Sequence, residues 1–283
     1  MNRTTRKLIR TGFLAALLVL TLTVITSFAV FAHERDNEGS QAHATLRHMP
    51  HGAATLFWSP MTHTLKVTLT VTGLQDNSSH PAHIHMGSCA TNGPIIIPLT
   101  DVKADAGGNA VSTTMIPNMM NGIPATGWFI NVHAGPTLAD GQATPITCGD
   151  IVNHHTSTKH FQFVEVRLGH TTAANQDASG SAQLTLDDGT LTVKVTVKGL
   201  VPGSMHAAHI HLGSCERQVP GNVMFPLNTL TADANGVAMS TTVFHNVATK
   251  EIPEHGWYVN VHFSTDLSTQ VGFDPIACGD VVD

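Results

Sequence analysis

The chain has 283 residues, of which 42% are hydrophobic and 12% charged, and a formal net charge of −6. That length suits two domains at ~100–200 residues each, and a charged content about half the usual ~25% excludes a disordered chain or a salt-bridge-laced coiled coil. Nucleic-acid binding is excluded by sign: four of the 14 Lys and Arg side chains lie in the first ten residues, and the chain after Ala32 carries 10 cations against 20 anions.

Residues 1–10 are basic, and Thr11 to Ala32 runs without a charge, closing on the small residues Ala29 and Ala32 before His33-Glu34-Arg35-Asp36. This pattern predicts a secretory leader over 1–32, cleaved after Ala32. The apolar run exceeds the ~7–15 residues of most leaders, so a retained anchor is the alternative, and only then is membrane contact expected. Both readings put the rest of the chain outside the cytoplasm, where disulfides persist.

Beyond the leader the chain is two copies of one unit. Gly73-Leu74 recurs as Gly199-Leu200, His80-Pro-Ala-His83-Ile-His85 as His206-Ala-Ala-His209-Ile-His211, and Gly87-Ser88-Cys89 as Gly213-Ser214-Cys215, all at an offset of 126. Asp105 matches Asp233, Asn131-Val132-His133 matches Asn260-Val261-His262, and Pro145–Asp150 matches Pro275–Asp280, the offset drifting only to 130. The units are placed at 33–153 and 154–283. Leu65–Val71 and Leu191–Val197 alternate apolar and polar residues, as half-buried strands do, and turn signals such as Asp188-Gly189 and Asn235-Gly236 separate such runs. No sustained helical stripe follows the leader. Each unit is therefore expected to be an antiparallel β-sandwich or barrel.

The four cysteines fall two per unit, at matching places. The simplest pairing is within each unit, Cys89 with Cys148 and Cys215 with Cys278, each closing a loop worth ~4 kcal/mol in the chain-entropy model. Pairing across the units and metal ligation are the other readings; no CxxC spacing supports ligation.

Histidine is the unusual residue, with 19 copies. In an extended chain His83 and His85 project from one face about 6–7 Å apart, so both can reach one metal ion. His133, on a second apolar run, can supply a third ligand, and His209, His211 and His262 repeat the set. A lone histidine is ordinarily a hydrogen-bonded core or surface residue, but the same three recurring in a diverged background favour metal. Three imidazoles suit copper, zinc, iron or nickel. His80 and His206, three residues before each pair, are expected to orient the ligands rather than join them. The remaining histidines, among them His48, His51 and His170, have no counterpart in the other unit and read as solvated. Met115, Met119 and Met120 could offer thioethers but are not repeated, and read as packing or loop residues.

His80-Pro-Ala-His83-Ile-His85-Met-Gly-Ser-Cys89 resembles the HGFHIHxxGSC stretch of bacterial copper/zinc superoxide dismutases, with Leu99…Asp105…Gly108, Val132-His133 and Cys148-Gly149-Asp150 following in the same order. The resemblance implies a Greek-key β-sandwich, the within-unit disulfides, and copper, up to two ions per chain, at the two histidine sets. Departures limit it. The segment after Cys89 is too short for the loop that carries the zinc ligands and bridging histidine, so zinc is not expected. Pro145 and Pro275 stand where those enzymes carry a guiding arginine. Nets of −4 over 33–153 and −6 over 154–283 oppose an anionic substrate. The phrases AHIHMG…GPIIIPL (Ala82–Leu99) and GWYVNVH (Gly256–His262) also resemble the CHRD, or chordin-type, domain, which implies a similar topology without established enzymatic activity. The expectations are thus a copper-binding protein that turns over superoxide inefficiently or, alternatively, a non-enzymatic binding module or an extracytoplasmic copper store. The expected partner is a metal ion or small molecule.

Overall fold

The computed structural model describes residues 39–139 and 141–283, the side chains of Pro220 and Asn222 apart. The leader or anchor expected over 1–32 lies outside the described residues, and among these no helix is long and apolar enough to cross a membrane. The first half of the chain forms β1 (Ser40–His48), β2 (His51–Ser59), β3 (Thr64–Thr72), β4 (Ser79–His80), β5 (Ala82–Met86), β6 (Ile95–Pro98), β7 (Val102–Lys103), β8 (Ala110–Ile116), β9 (Trp128–His133) and β10 (Pro145–Ile151). The second forms β11 (Gln162–Leu168), β12 (Ser179–Asp187), β13 (Thr190–Lys198), β14 (Met205–His206), β15 (Ala208–Ser214), β16 (Arg217–Pro226), β17 (Leu230–Thr231), β18 (Ala238–Phe244), β19 (Trp257–His262), the single-turn helix α1 (Gln270–Phe273) and β20 (Pro275–Val282).

The fold is all-β, as the alternating pattern predicts. Leu65, Val67, Leu69 and Val71 of β3 point into one core while the residues between them are more open, and Leu191, Val193, Val195 and Val197 of β13 do the same in the other. The β12–β13 hairpin closes through Asp188 and Gly189, both at positive φ, as a two-residue turn needs to match strand twist. In the first sandwich a sheet of order β10-β9-β5-β6 covers one of order β11-β2-β3-β8. In the second, one eight-stranded sheet, β16-β15-β19-β20-β1-β12-β13-β18, folds over a single core.

These orders show that the sandwiches are not simply the two halves of the chain. β1, from the first repeat, lies between β20 and β12 of the second, and its Ala42, Ala44 and Leu46 belong to the second core. β11, from the second repeat, pairs along its whole length with β2, and its Val164, Val166 and Leu168 enter the first core. The repeats exchange their first strands. Turn chemistry gives a reason. Only Met49 and Pro50 separate β1 from β2. A two-residue hairpin needs positive φ at both central residues, or glycine at the first, whereas proline holds φ near −65°. The chain therefore runs on from one sandwich into the other, and the picture of two independent sandwiches gives way to an interlocked pair.

Two disulfides, Cys89–Cys148 and Cys215–Cys278, close within the repeats, with Cα–Cα distances of 5.9 and 5.8 Å. Each is braced alike: Asp150 Oδ1 accepts from Cys89 N and Asp280 Oδ1 from Cys215 N, both at 2.7 Å. Side chains also cross between repeats. Gln218 donates from Nε2 to Leu74 O at 3.0 Å, and Gln270 on α1 donates from Nε2 to Ser79 O at 2.9 Å and Ala134 O at 2.7 Å.

Candidate metal centre

The site begins with strand periodicity. Ala82 and Ile84 of β5 face the first core, so His83 and His85 share the opposite face, and on the neighbouring β9 Ile130 and Val132 face inward while Asn131 and His133 face out. Outward positions on a sandwich are normally wet. Here the segments carrying Gly93 and Ala143 reach this face, and His83, His85 and His133 are only 8%, 5% and 4% exposed. Ring centroids stand 5.8 Å apart for His83–His85, 5.2 Å for His83–His133 and 5.6 Å for His85–His133.

Backbone carbonyls set which nitrogen faces the centre. His85 Nδ1–H donates to Gly93 O at 2.9 Å and His133 Nδ1–H to Ala143 O at 2.7 Å, which leaves Nε2 of each ring as a lone pair. Those two Nε2 atoms and His83 Nδ1 are buried and have no hydrogen-bond partner among the described residues. One ligand atom from each ring lies within 4.8 Å of the others. A buried polar atom left unpaired costs roughly 1–3 kcal/mol, and three converging on one point fit a shared cation. The residues present therefore fit a metal ion, with His85 and His133 each oriented by a carbonyl behind the ring, as metal-bound imidazoles commonly are.

The second triad repeats the plan. His209, His211 and His262 form the other group within 4.8 Å, and His262 Nδ1–H donates to Phe273 O at 2.6 Å. Aromatic rings wall both sites, Phe129 stacking on His85 at 5.0 Å and Tyr258 on His211 at 5.2 Å. At the second site His209 Nδ1–H also donates to His262 Nε2 at 3.1 Å. Burial, reinforced by the neighbouring imidazoles, pushes His133 down to about 4 and His262 to about 3, and burial lowers His83 and His209 as well. These rings are neutral at pH 7, the form that ligates metal.

His80 and His206 lie outside the converging groups. His80 Nδ1–H donates to His133 O at 2.8 Å with Ser78 Oγ 2.7 Å from its Nε2, and His206 makes the same contacts with His262 O at 3.0 Å and Ser204 Oγ at 2.8 Å. Each thus holds the backbone of a triad's third histidine. Of the three methionines, Met115 and Met120 are exposed and Met119 packs against the first core while its carbonyl accepts from Trp58 Nε1 at 2.7 Å. The repeated Asp105 and Asp233 cap turns: Asp105 Oδ1 accepts from Gly107 and Asn109 N, and Asp233 Oδ1 from Asn235 and Val237 N.

Residues 35–136 and 164–266 each match the CHRD domain. The chain belongs to the CHRD-domain family. Both histidine triads lie wholly inside the matched CHRD regions, whereas Cys148 and Cys278 lie beyond them. Of the two resemblances drawn from the motifs, the family match supports the CHRD one and not the dismutase one. The likeness to dismutases therefore reduces to a similar histidine-and-cysteine pattern on a β-sandwich. No curated protein matches the chain.

Proposed function

We propose that this tandem CHRD protein is a non-enzymatic, extracytoplasmic metal-binding module, each triad holding one late first-row transition-metal ion, copper foremost. The observation that carries the reading is that His83, His85 and His133 bring one ligand atom each within 4.8 Å of the others, while His83 Nδ1, His85 Nε2 and His133 Nε2 are buried without a partner among the described residues, with a second triad on the equivalent strands. Copper is favoured because a site of neutral nitrogen donors follows the Irving–Williams order, in which Cu(II) exceeds both Ni(II) and Zn(II). Bound copper would supply a Lewis-acid and Cu(II)/Cu(I) centre. The chain's own part is to orient the imidazoles through Gly93, Ala143 and Phe273 carbonyls and to wall them from water with Phe129 and Tyr258. The net charges of −4 and −6 on the two units speak against fast use of superoxide. The two disulfides support a place outside the cytoplasm.

Cu(II) titration of the purified protein, followed by superoxide dismutation per bound ion, is the test. Two ions per chain, falling to one when His83 and His85 are both replaced by alanine, with turnover no better than free Cu(II), is the expected result. Failure to bind, or a stoichiometry untouched by the replacement, would overturn the site. Turnover far above the free ion would overturn the non-enzymatic reading.

A further inference from the structure

The two chain segments that cross between the sandwiches meet. His48 ends β1, Met49 lies on the crossing to β2 and His51 opens β2, while His170 lies just after β11, on the crossing toward β12. Together with Arg47, Glu216 and Asp280 they line a cavity of about 550 Å³ at the junction. Read from sequence, these histidines are unrelated and solvated. The structure corrects that for His48, whose ring is largely buried and held at a carbonyl.

His48 has the same signature as the triad rings. Its Nε2–H donates to Ile146 O at 3.0 Å, which leaves Nδ1 as a lone pair, and that atom is buried with no hydrogen-bond partner among the described residues. The His170 ring stands 6.4 Å from it, edge-on at 84°. That approaches the 6.2 Å and 67° between His211 and His262 inside the second triad. His51 Nδ1 lies 3.1 Å from Met49 Sδ, so an imidazole and a thioether border the same space. The cavity's charged wall holds two carboxylates, Glu216 and Asp280, against the single cation Arg47, a balance that tolerates a monovalent cation.

We propose that this junction is a third metal site, built for a soft monovalent ion such as Cu(I), with His48 Nδ1 and the His170 imidazole as its principal donors and His51 and Met49 beside them. Two imidazoles and a thioether are soft-to-borderline donors, which select Cu(I) over hard cations. The site depends on strand exchange, since its two principal donors come from different crossings. It stands apart from the triads, which share none of its residues.

Ag(I), a redox-silent stand-in for Cu(I), is titrated into the purified protein while the histidine ring resonances are followed by NMR. His48 and His170 should move together in one saturating transition. His170 is exposed, so His170→Ala leaves the fold intact and should raise the Ag(I) concentration that moves His48 at least tenfold. A His48 ring unmoved through five equivalents of Ag(I) would overturn the proposal, as would a response at unchanged concentration in His170→Ala. Both readouts are independent of whether the triads take up metal.

Discussion

Leu46 tests the strand exchange directly. By sequence it belongs to the first repeat, but its side chain, 1% exposed, packs in the core of the second. Leu46→Ala removes three buried carbons, about 2.4 kcal/mol of transfer free energy at ~0.8 kcal/mol each, and adds a cavity term that brings such substitutions to ~3 kcal/mol or more. At ~1.4 kcal/mol per factor of ten, amides that exchange through loosening of that sandwich should lose protection about 100-fold. Hydrogen exchange read by mass spectrometry locates the loss. It should fall on β12, β13 and β20, the partners of β1 and their neighbour, with β2 and β3 much less affected. The reciprocal Leu168→Ala, in the first core, should loosen β2 and β3 instead. If Leu46→Ala exposes β2 and β3 while β12 and β20 stay protected, the repeats do not exchange strands and the argument from Met49-Pro50 is wrong.

Acid should destabilise the protein well above the carboxylate range. Burial pushes His80 from 6.5 to about 4, so its neutral form contributes stability in full above pH 6.5 that is lost as pH falls toward 4, up to about 3 kcal/mol. His133 and His262 act in the same direction. A urea midpoint unchanged between pH 7 and pH 4.5 would contradict this. The triads should bind unequally, because metal at the second must break the 3.1 Å His209–His262 bond, worth about 1 kcal/mol. Calorimetric titration of His133→Ala and His262→Ala proteins should leave the first site about fivefold tighter than the second, and equal or reversed affinities would remove that role for the bond. Gln270→Ala leaves the Ser79 and Ala134 carbonyls without its amide and should cost about 1–3 kcal/mol. Thermal melting checks the loss, and an unchanged midpoint would show that α1 does not tie the repeats together.

The strands, the within-repeat disulfides and the grouping of each histidine triad were legible in the sequence because their signals are local or doubled. Alternation in Leu65–Val71 shows an inner face, and the recurrence of three histidines and two cysteines at nearly constant offset shows which residues go together. The CHRD-like phrases carried the family. What stayed hidden is non-local. Ala42, Ala44 and Leu46 announce that β1 has a buried face, but alternation says nothing about whose core receives it. Met49-Pro50, a dipeptide without hairpin chemistry, was the one available sign. His48 and His170 have no counterparts in the other repeat, so duplication does not mark them, and only the crossing of two segments places them at one cavity. Which nitrogen His85, His133, His48 and His262 turn inward likewise depends on carbonyls that other segments bring up, those of Gly93, Ala143, Ile146 and Phe273. A residue's period along the chain determines the face it occupies; the packing of separate segments decides what that face meets.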